Sequence, residues 1–278
     1  MKVSILLPIY GRSIYLKEAI ESVVAQDFQD WELIIISDPP LTPATKEIIS
    51  HYIQKDKKIF FFENKTKLGF PASLNLGIKM AKGKYIARID DDDIWCDREK
   101  LRKQIEFLEK NKGYGLVGGG AIVIDEKGKE LYRFFEPETD KEIRNYILYR
   151  NPFLHSSVVF KKEIVEKIGG YNEKVPGACD YELWLRMGRL VKFYNLQDYL
   201  IKFRLPTSYR DKKSVRLQRI QRTLEKIQII KQYKKDYPHF LKAILKDYLK
   251  IFYLLTLARC SKLDDYLYRK RQTSIWRA

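Results

Sequence analysis

The chain is poor in cysteine, lacks long apolar runs, carries no glycine-rich nucleotide fingerprint, and is short of acidic residues relative to basic ones. Its three cysteines, Cys96, Cys179 and Cys260, have neither metal-ligand nor redox spacing. That excludes a disulfide scaffold and a thiolate zinc site, and it fits a reducing compartment. No apolar run approaches the roughly 18–20 residues of a membrane-spanning helix; the best candidate in the tail, Ile251 to Ala258, is far too short. Residues 1–10 open directly into a strand pattern, without a basic leader or a small-residue cleavage site. A secretory signal is therefore not expected, and cytoplasmic placement is. No Gly-x-Gly-x-x-Gly follows a strand, which argues against a nicotinamide oxidoreductase. The position after the first strand reads Pro8-Ile-Tyr-Gly-Arg-Ser13, not the phosphate loop that a nucleotidyltransferase acting on sugar phosphates would need.

The acidic deficit is local. The net charge is +17, yet 19 of the 53 Lys and Arg and 6 of the 36 Asp and Glu lie from Pro206 onward, so the tail holds +13 of it. A basic tail implies an anionic partner, with membrane lipid or nucleic acid as the usual classes. A nucleic-acid binding module is the weaker reading, because no recognised binding motif accompanies the charge and the acidic residues described below would have no use.

With 278 residues, 45% of them hydrophobic and 32% charged, the chain suits one sizeable α/β domain with an appendage, or two small domains. Val3 to Ile9 and Trp31 to Ile36 are short β-branched apolar runs of the kind found in buried parallel strands. Helical spacing over 13–27, near 43–55, over 71–82 and over 97–111 alternates with strands at 59–62, 84–89 and 115–124, the last one broken by Gly118-Gly119-Gly120. Alternation of this kind predicts a mostly parallel sheet with helices on both faces, and such sheets bind ligands at the carboxyl ends of their strands. Two of the strands end in acid, at Asp38 and at Asp90-Asp91-Asp92-Asp93. From about 140 the pattern is mixed; after about 210 it is helical, in segments split near Pro238.

Four consecutive aspartates raise one another's pKa and resist folding unless something positive binds. A hard divalent cation suits them, because Mg²⁺ or Mn²⁺ takes one or two carboxylates together with phosphate oxygens and water. An acidic surface turn is the plain alternative; the position after a buried strand and before Ile94-Trp95 favours a site.

The chain resembles a family 2 glycosyltransferase with the GT-A fold. The resemblance rests on Val3 to Tyr10, Ala25 to Asp38, Leu68 to Ile78, Ala81 to Ile94, Gly169-Gly-Tyr171 and Cys179 to Arg186. It covers 1–205, as a nucleotide-sugar-binding half (1–125) and an acceptor half (126–205), with 206–278 as a basic helical extension. The implied activity is transfer of a sugar from a nucleotide-diphosphate donor, UDP-linked in expectation, to a hydroxyl acceptor such as a saccharide or lipid-linked saccharide, in polysaccharide or glycolipid synthesis. The implied cofactor is Mn²⁺ or Mg²⁺. Pro8 and Tyr10 are implied to line the nucleotide pocket, Asp38 to bond the base, and Asp91 to reach the ribose. Asp90 and Asp92 form the Asp-x-Asp pair, with Asp92 on the metal. Asp180 falls at the catalytic base. Attack by an acceptor hydroxyl needs such a carboxylate opposite the leaving group, and direct displacement implies inversion at the anomeric carbon.

Other residues are open to two readings. Arg88 and Arg98 flank the acidic run, to contact diphosphate or to neutralise it; Arg98 is taken as a donor contact. His155 is expected on the acceptor side or in a structural hydrogen bond. Trp184 is read as core, and Asn75 and Gly77 as structural. Cys179 stands where the family has the first of two carboxylates, and Ser37-Asp38-Pro39-Pro40 predicts a loop of different backbone after the second strand. In the tail, Phe240, Leu241, Ile244, Leu245, Tyr248, Leu249, Phe252 and Leu255 recur at helical spacing, with Lys242, Lys246 and Lys250 on another face. This pattern fits either an interfacial helix on the inner face of a membrane or a helix packed on the catalytic domain.

Overall fold

A computed structural model describes residues 1–11, 14–205 and 212–256. The chain divides into two compact units, 1–143 with 151–206 and 144–150 with 207–278. The segment 144–150, read from sequence as part of the acceptor half, thus groups with the tail.

The first unit is built on one nine-stranded mixed sheet. In chain order it has β1 (Val3–Tyr10), α1 (Leu16–Val24), β2 (Trp31–Asp38), α2 (Pro43–Lys55), β3 (Ile59–Glu63), α3 (Phe70–Met80), β4 (Tyr85–Arg88), β5 (Ile94–Trp95), α4 (Lys100–Lys110), β6 (Tyr114–Ile124), β7 (Glu130–Phe134), α5 (Asp140–Tyr146), β8 (Val159–Lys161), α6 (Lys162–Lys167), α7 (Cys179–Met187) and β9 (Lys192–Arg204). The strand order is β3-β2-β1-β4-β8-β6-β9-β5, with β7 beside β6. The pairs β3–β2, β2–β1 and β1–β4 are parallel. Strand β8 is antiparallel to both β4 and β6, and β9 runs parallel to β6.

β1 is buried from Val3 to Ile9 and β2 throughout, and α3 packs on both strands. Ile5, Leu6, Leu7, Leu33 and Ile35 are fully buried, each worth roughly 1.5–3 kcal/mol of hydrophobic stabilisation. α2 starts where Thr42 caps it, its hydroxyl accepting from the Thr45 N–H at 3.3 Å, with Pro43 in the first turn.

The expected break at Gly118-Gly119-Gly120 does not occur; β6 runs unbroken through it. The glycines serve close packing instead. A Cβ would meet Asn195 Oδ1 at 2.2 Å on Gly118, Leu200 at 2.3 Å on Gly119 and Phe135 at 2.4 Å on Gly120. Side chains from neighbouring segments lie directly against the backbone of β6, and the β6–β9 register shifts at the same place, between Gly119 and Gly120 and again between Gly120 and Ala121.

The topology explains why distant residues meet. Antiparallel β8 begins at the edge where β4 ends, so the 3₁₀ turn His155–Ser157 that precedes it arrives beside the acidic run. β9 ends at that edge too, with Arg204 opposite Ile124 and Lys202 opposite Ile94.

The second unit contains α8 (Lys212–Lys231) and α9 (Phe240–Leu255). His239, in the left-handed region with φ 64°, separates them just after Pro238. Among the described residues, no helix is long and apolar enough to cross a membrane.

Candidate active site

Tyr10 and Asp38 are register partners at the carboxyl ends of β1 and β2. Pro8 is buried within β1, whereas Tyr10 is 56% exposed and its hydroxyl accepts from Lys67 Nζ at 3.0 Å. Asp38 is buried, and its carboxylate organises the turn into α3. Oδ1 accepts from Asn64 Nδ2 (2.7 Å), the Leu68 N–H (3.1 Å) and Ser73 Oγ (3.1 Å), and Oδ2 accepts from the Gly69 N–H (2.7 Å). Gly69 can turn its N–H inward because it adopts φ 90°, which side chains disfavour. Burial alone would raise the Asp38 carboxyl, but the bonds from Asn64, Leu68, Gly69 and Ser73 hold it below its ordinary value. A carboxylate has about four acceptor positions, so Oδ2 retains capacity beyond Gly69.

The acidic run lies between two buried arginines. Arg88, fully buried, donates to the carbonyls of Leu6 (2.8 Å) and Ile89 (3.0 Å) and to Asp90 Oδ1 (2.5 Å). Burial works against ionised Asp90, and the charge and hydrogen bond of Arg88 overcome it, so the carboxyl sits below its ordinary value. On the other side, Arg204 is 3% exposed. Its backbone N–H donates to Asp93 Oδ1 and its Nε to the Asp92 carbonyl, both at 3.0 Å, and its guanidinium reaches Glu18 at 2.8 Å while lying over the Tyr15 ring.

Asp93, which has no expected role, proves to be a fastener. Ser156 Oγ accepts from the Asp90 N–H (2.9 Å) and donates to Asp93 Oδ2 (2.5 Å), while Asp93 Oδ1 takes the Arg204 N–H. Burial and the charges of Asp90 and Asp92 push the Asp93 carboxyl well up. Asp92 is half-buried, and its carboxyl is pushed up to about 6 by burial and by the charges of Asp90 and Asp91.

Arg98 is exposed, and its Nε donates to the Ala25 carbonyl at 3.2 Å, beside α1. The cations that the run uses are Arg88 and Arg204. His155 makes the hydrogen bonds of the second reading. Its Nε2 accepts from Arg88 Nε at 3.2 Å and lies 2.8 Å from the Tyr171 hydroxyl. Burial and the Arg88 charge push the imidazole down to about 3, so it is neutral at ordinary pH.

Asp180 lies in the first turn of α7, where Asn151 Nδ2 donates to its Oδ2 at 2.7 Å. Burial raises its carboxyl, and the charge of Asp90 raises it further. Trp184 is fully buried. Asn75 is structural, bonding the Tyr171 carbonyl at 2.9 Å and the Tyr171 N–H at 2.7 Å.

The set fits a hard divalent cation. Its free acceptors are oxygens, and the raised Asp92 carboxyl marks a surplus of negative charge. Among the described residues, no three or more His, Cys, Asp or Glu form a protein cage.

Ser156 and Asn151 carry no signal in the linear pattern, whereas Tyr171 stands in the Gly169-Gly-Tyr171 stretch of the resemblance. Ser156 is 66 residues from Asp90, and only the antiparallel insertion of β8 brings them together.

A mixed sheet with a parallel half and an acidic run at its carboxyl edge has the architecture of a GT-A glycosyltransferase. The model of glycosyl transferase family 2 matches residues 4–169, and the chain belongs to that family. An uncharacterized glycosyltransferase of Methanocaldococcus jannaschii is 38% identical over 195 residues, covering 69% of this chain and 66% of its own length. The putative glycosyltransferase EpsE of Bacillus subtilis is 35% identical over 210 residues, 73% of each chain. Among solved structures, the mannosyltransferase PcManGT of Pyrobaculum calidifontis, in complex with GDP-Man and Mn²⁺, superposes with TM-score 0.62 at 18% identity, over 92% of this chain and 70% of that one. S. aureus TarS in complex with UDP-GlcNAc gives 0.61 at 18% identity, over 87% and 72%. At those identities the likeness is one of fold.

Proposed function

We propose that the chain transfers a sugar from a nucleoside-diphosphate donor to a hydroxyl acceptor, with inversion. The observation that carries this reading is Asp180, raised by burial and by the charge of Asp90 in the acidic run and held by a hydrogen bond from Asn151. A carboxyl raised toward working pH is a better proton acceptor than an ordinary aspartate. Asp180 takes the proton of the attacking hydroxyl, and Asn151 aims it. Asp92, with Asp90 behind it, holds Mn²⁺ or Mg²⁺, which when bound neutralises charge on the departing diphosphate. Arg88 and Ser156 keep Asp90 oriented. Asp91 is the ribose contact, and Tyr10 flanks the base. The remaining acceptor capacity of Asp38 Oδ2 suits an imide N–H, which favours uridine; the neighbours bound to UDP-GlcNAc and to GDP-Man keep guanosine as the other candidate.

The acceptor is a saccharide or lipid-linked saccharide, and the charge of the tail, +13, suits peripheral association with the inner face of an anionic membrane. Hydrolysis of a panel of nucleotide-sugars, with and without Mn²⁺, tests the donor reading. Metal-dependent release of UDP is expected; release of nothing from any donor, with or without metal, refutes it. Proton NMR of the product tests inversion, and retained configuration overturns it.

A further inference from the structure

The second unit carries a surface that transfer chemistry does not use. Along α9 the side chains of Leu241, Leu245, Tyr248, Leu249, Phe252 and Leu255 are 47–79% exposed. At 3.6 residues per turn they fall on one stripe. The buried side of the helix is instead Ala243, Asp247 and Leu254. An amphipathic helix in a water-soluble unit ordinarily does the reverse, and a contiguous apolar stripe of this length marks an interaction site.

Asp247 explains the orientation. Its carboxylate accepts from Lys226 Nζ of α8 at 2.7 Å, and the same ammonium donates to the Tyr149 carbonyl at 2.6 Å. Both side chains are largely buried, at 5% and 16% exposure. Rolling α9 to hide its apolar stripe would separate this pair and leave each charge in a poorly solvated setting, which is costly. The pair therefore fixes the helix with its apolar side outward.

Charge selects the occupant. Lys242, Lys246 and Lys250 are exposed along one flank of the stripe, and residues 206–278 carry +13. A second copy of the chain would bring like-charged lysine rows together. An anionic lipid surface takes both features, with leucines and aromatics in the acyl boundary and ammonium groups on the phosphates. α9, at 16 residues, is short for a span and suited to lying in the plane of the interface. We infer that α9 lies on an anionic lipid surface with its Leu241–Leu255 stripe inserted, held in that attitude by the Lys226–Asp247 pair. This rests on the membrane reading above and names the element responsible.

The test is co-sedimentation of the full chain with phosphatidylglycerol-containing and pure phosphatidylcholine vesicles at about 0.1 M salt. The full chain is expected to bind anionic vesicles roughly tenfold better than neutral ones. A Leu245→Ser, Phe252→Ser double variant, altered only at exposed positions, is expected to lose about tenfold with unchanged circular dichroism and donor hydrolysis. No binding of the full chain to either vesicle overturns the membrane reading itself. Equal binding by the double variant leaves that reading and overturns the assignment to α9. Dimerisation seen by light scattering, abolished in the double variant without any vesicle binding, makes the occupant a second copy and also overturns it.

Discussion

Replacing Arg88 with Met removes the buried cation behind the acidic run while keeping most of the side-chain volume. The wild-type guanidinium satisfies the carbonyls of Leu6 and Ile89 and pairs with Asp90. Breaking a buried pair from one side costs about 3–5 kcal/mol, because the partner charge stays behind. Asp90 keeps 30% exposure, so water recovers part of that loss. The two carbonyls lose hydrogen bonds worth about 1 kcal/mol each. A net destabilisation of about 3–4 kcal/mol follows, or roughly 6–16 °C in melting temperature at 2–4 °C per kcal/mol. Arg98→Ala is the internal comparison: an exposed side chain bonded to one carbonyl should change stability by no more than about 0.5 kcal/mol. Scanning calorimetry of both variants measures the contrast. Ring NMR of Arg88→Met should also find the His155 titration moved upward from about 3, since the Arg88 charge helps to depress it. If Arg88→Met melts within about 2 °C of Arg98→Ala, the two arginines are equivalent and the account of the acidic run fails.

Asp180→Asn should lower kcat by about 10²–10⁴-fold, the usual contribution of a positioned base, while donor affinity measured by calorimetric titration changes little; loss of donor binding instead would move Asp180 out of the base role. In the wild type, the acid limb of kcat/KM should lie above the ordinary carboxylate value of 3.8, because burial and Asp90 raise Asp180. Ser156→Ala strips the Asp90 N–H and Asp93 of their shared hydroxyl, costing about 1–3 kcal/mol; urea denaturation at unchanged slope measures it, and no change in midpoint refutes it. Asp38 is held low in the folded state, so its stabilisation is complete above the unfolded value near 3.9 and is lost as pH falls through the folded value. Asp38→Asn should therefore flatten the loss of stability below about pH 4, measured by melting temperature against pH; an unaltered acid limb contradicts the assignment.

β1 and β2, at the centre of the parallel half, are legible because they are buried nearly throughout, so the apolar runs Val3–Ile9 and Trp31–Ile36 mark them. The carboxyl-edge rule then located Asp38 and the aspartate run from sequence alone. What stayed illegible depends on pairing across the chain. The linear pattern puts Arg88 in a strand and Arg98 in a helical run, but only the fold shows that one ends a strand inside the sheet and the other follows a short edge strand. Gly118-Gly119-Gly120 looked like a break because glycine weakens strands, yet here the missing side chains are what admit Asn195, Leu200 and Phe135. The four aspartates show the same limit most plainly. Adjacent and identical in sequence, they separate only when β8 delivers Ser156 and β9 delivers Arg204. Asp93 is then withdrawn into the fold as a fastener and Asp90 is neutralised by Arg88. Asp92 keeps the surplus charge, and that surplus, not the repetition of the residue, is what a cation would answer.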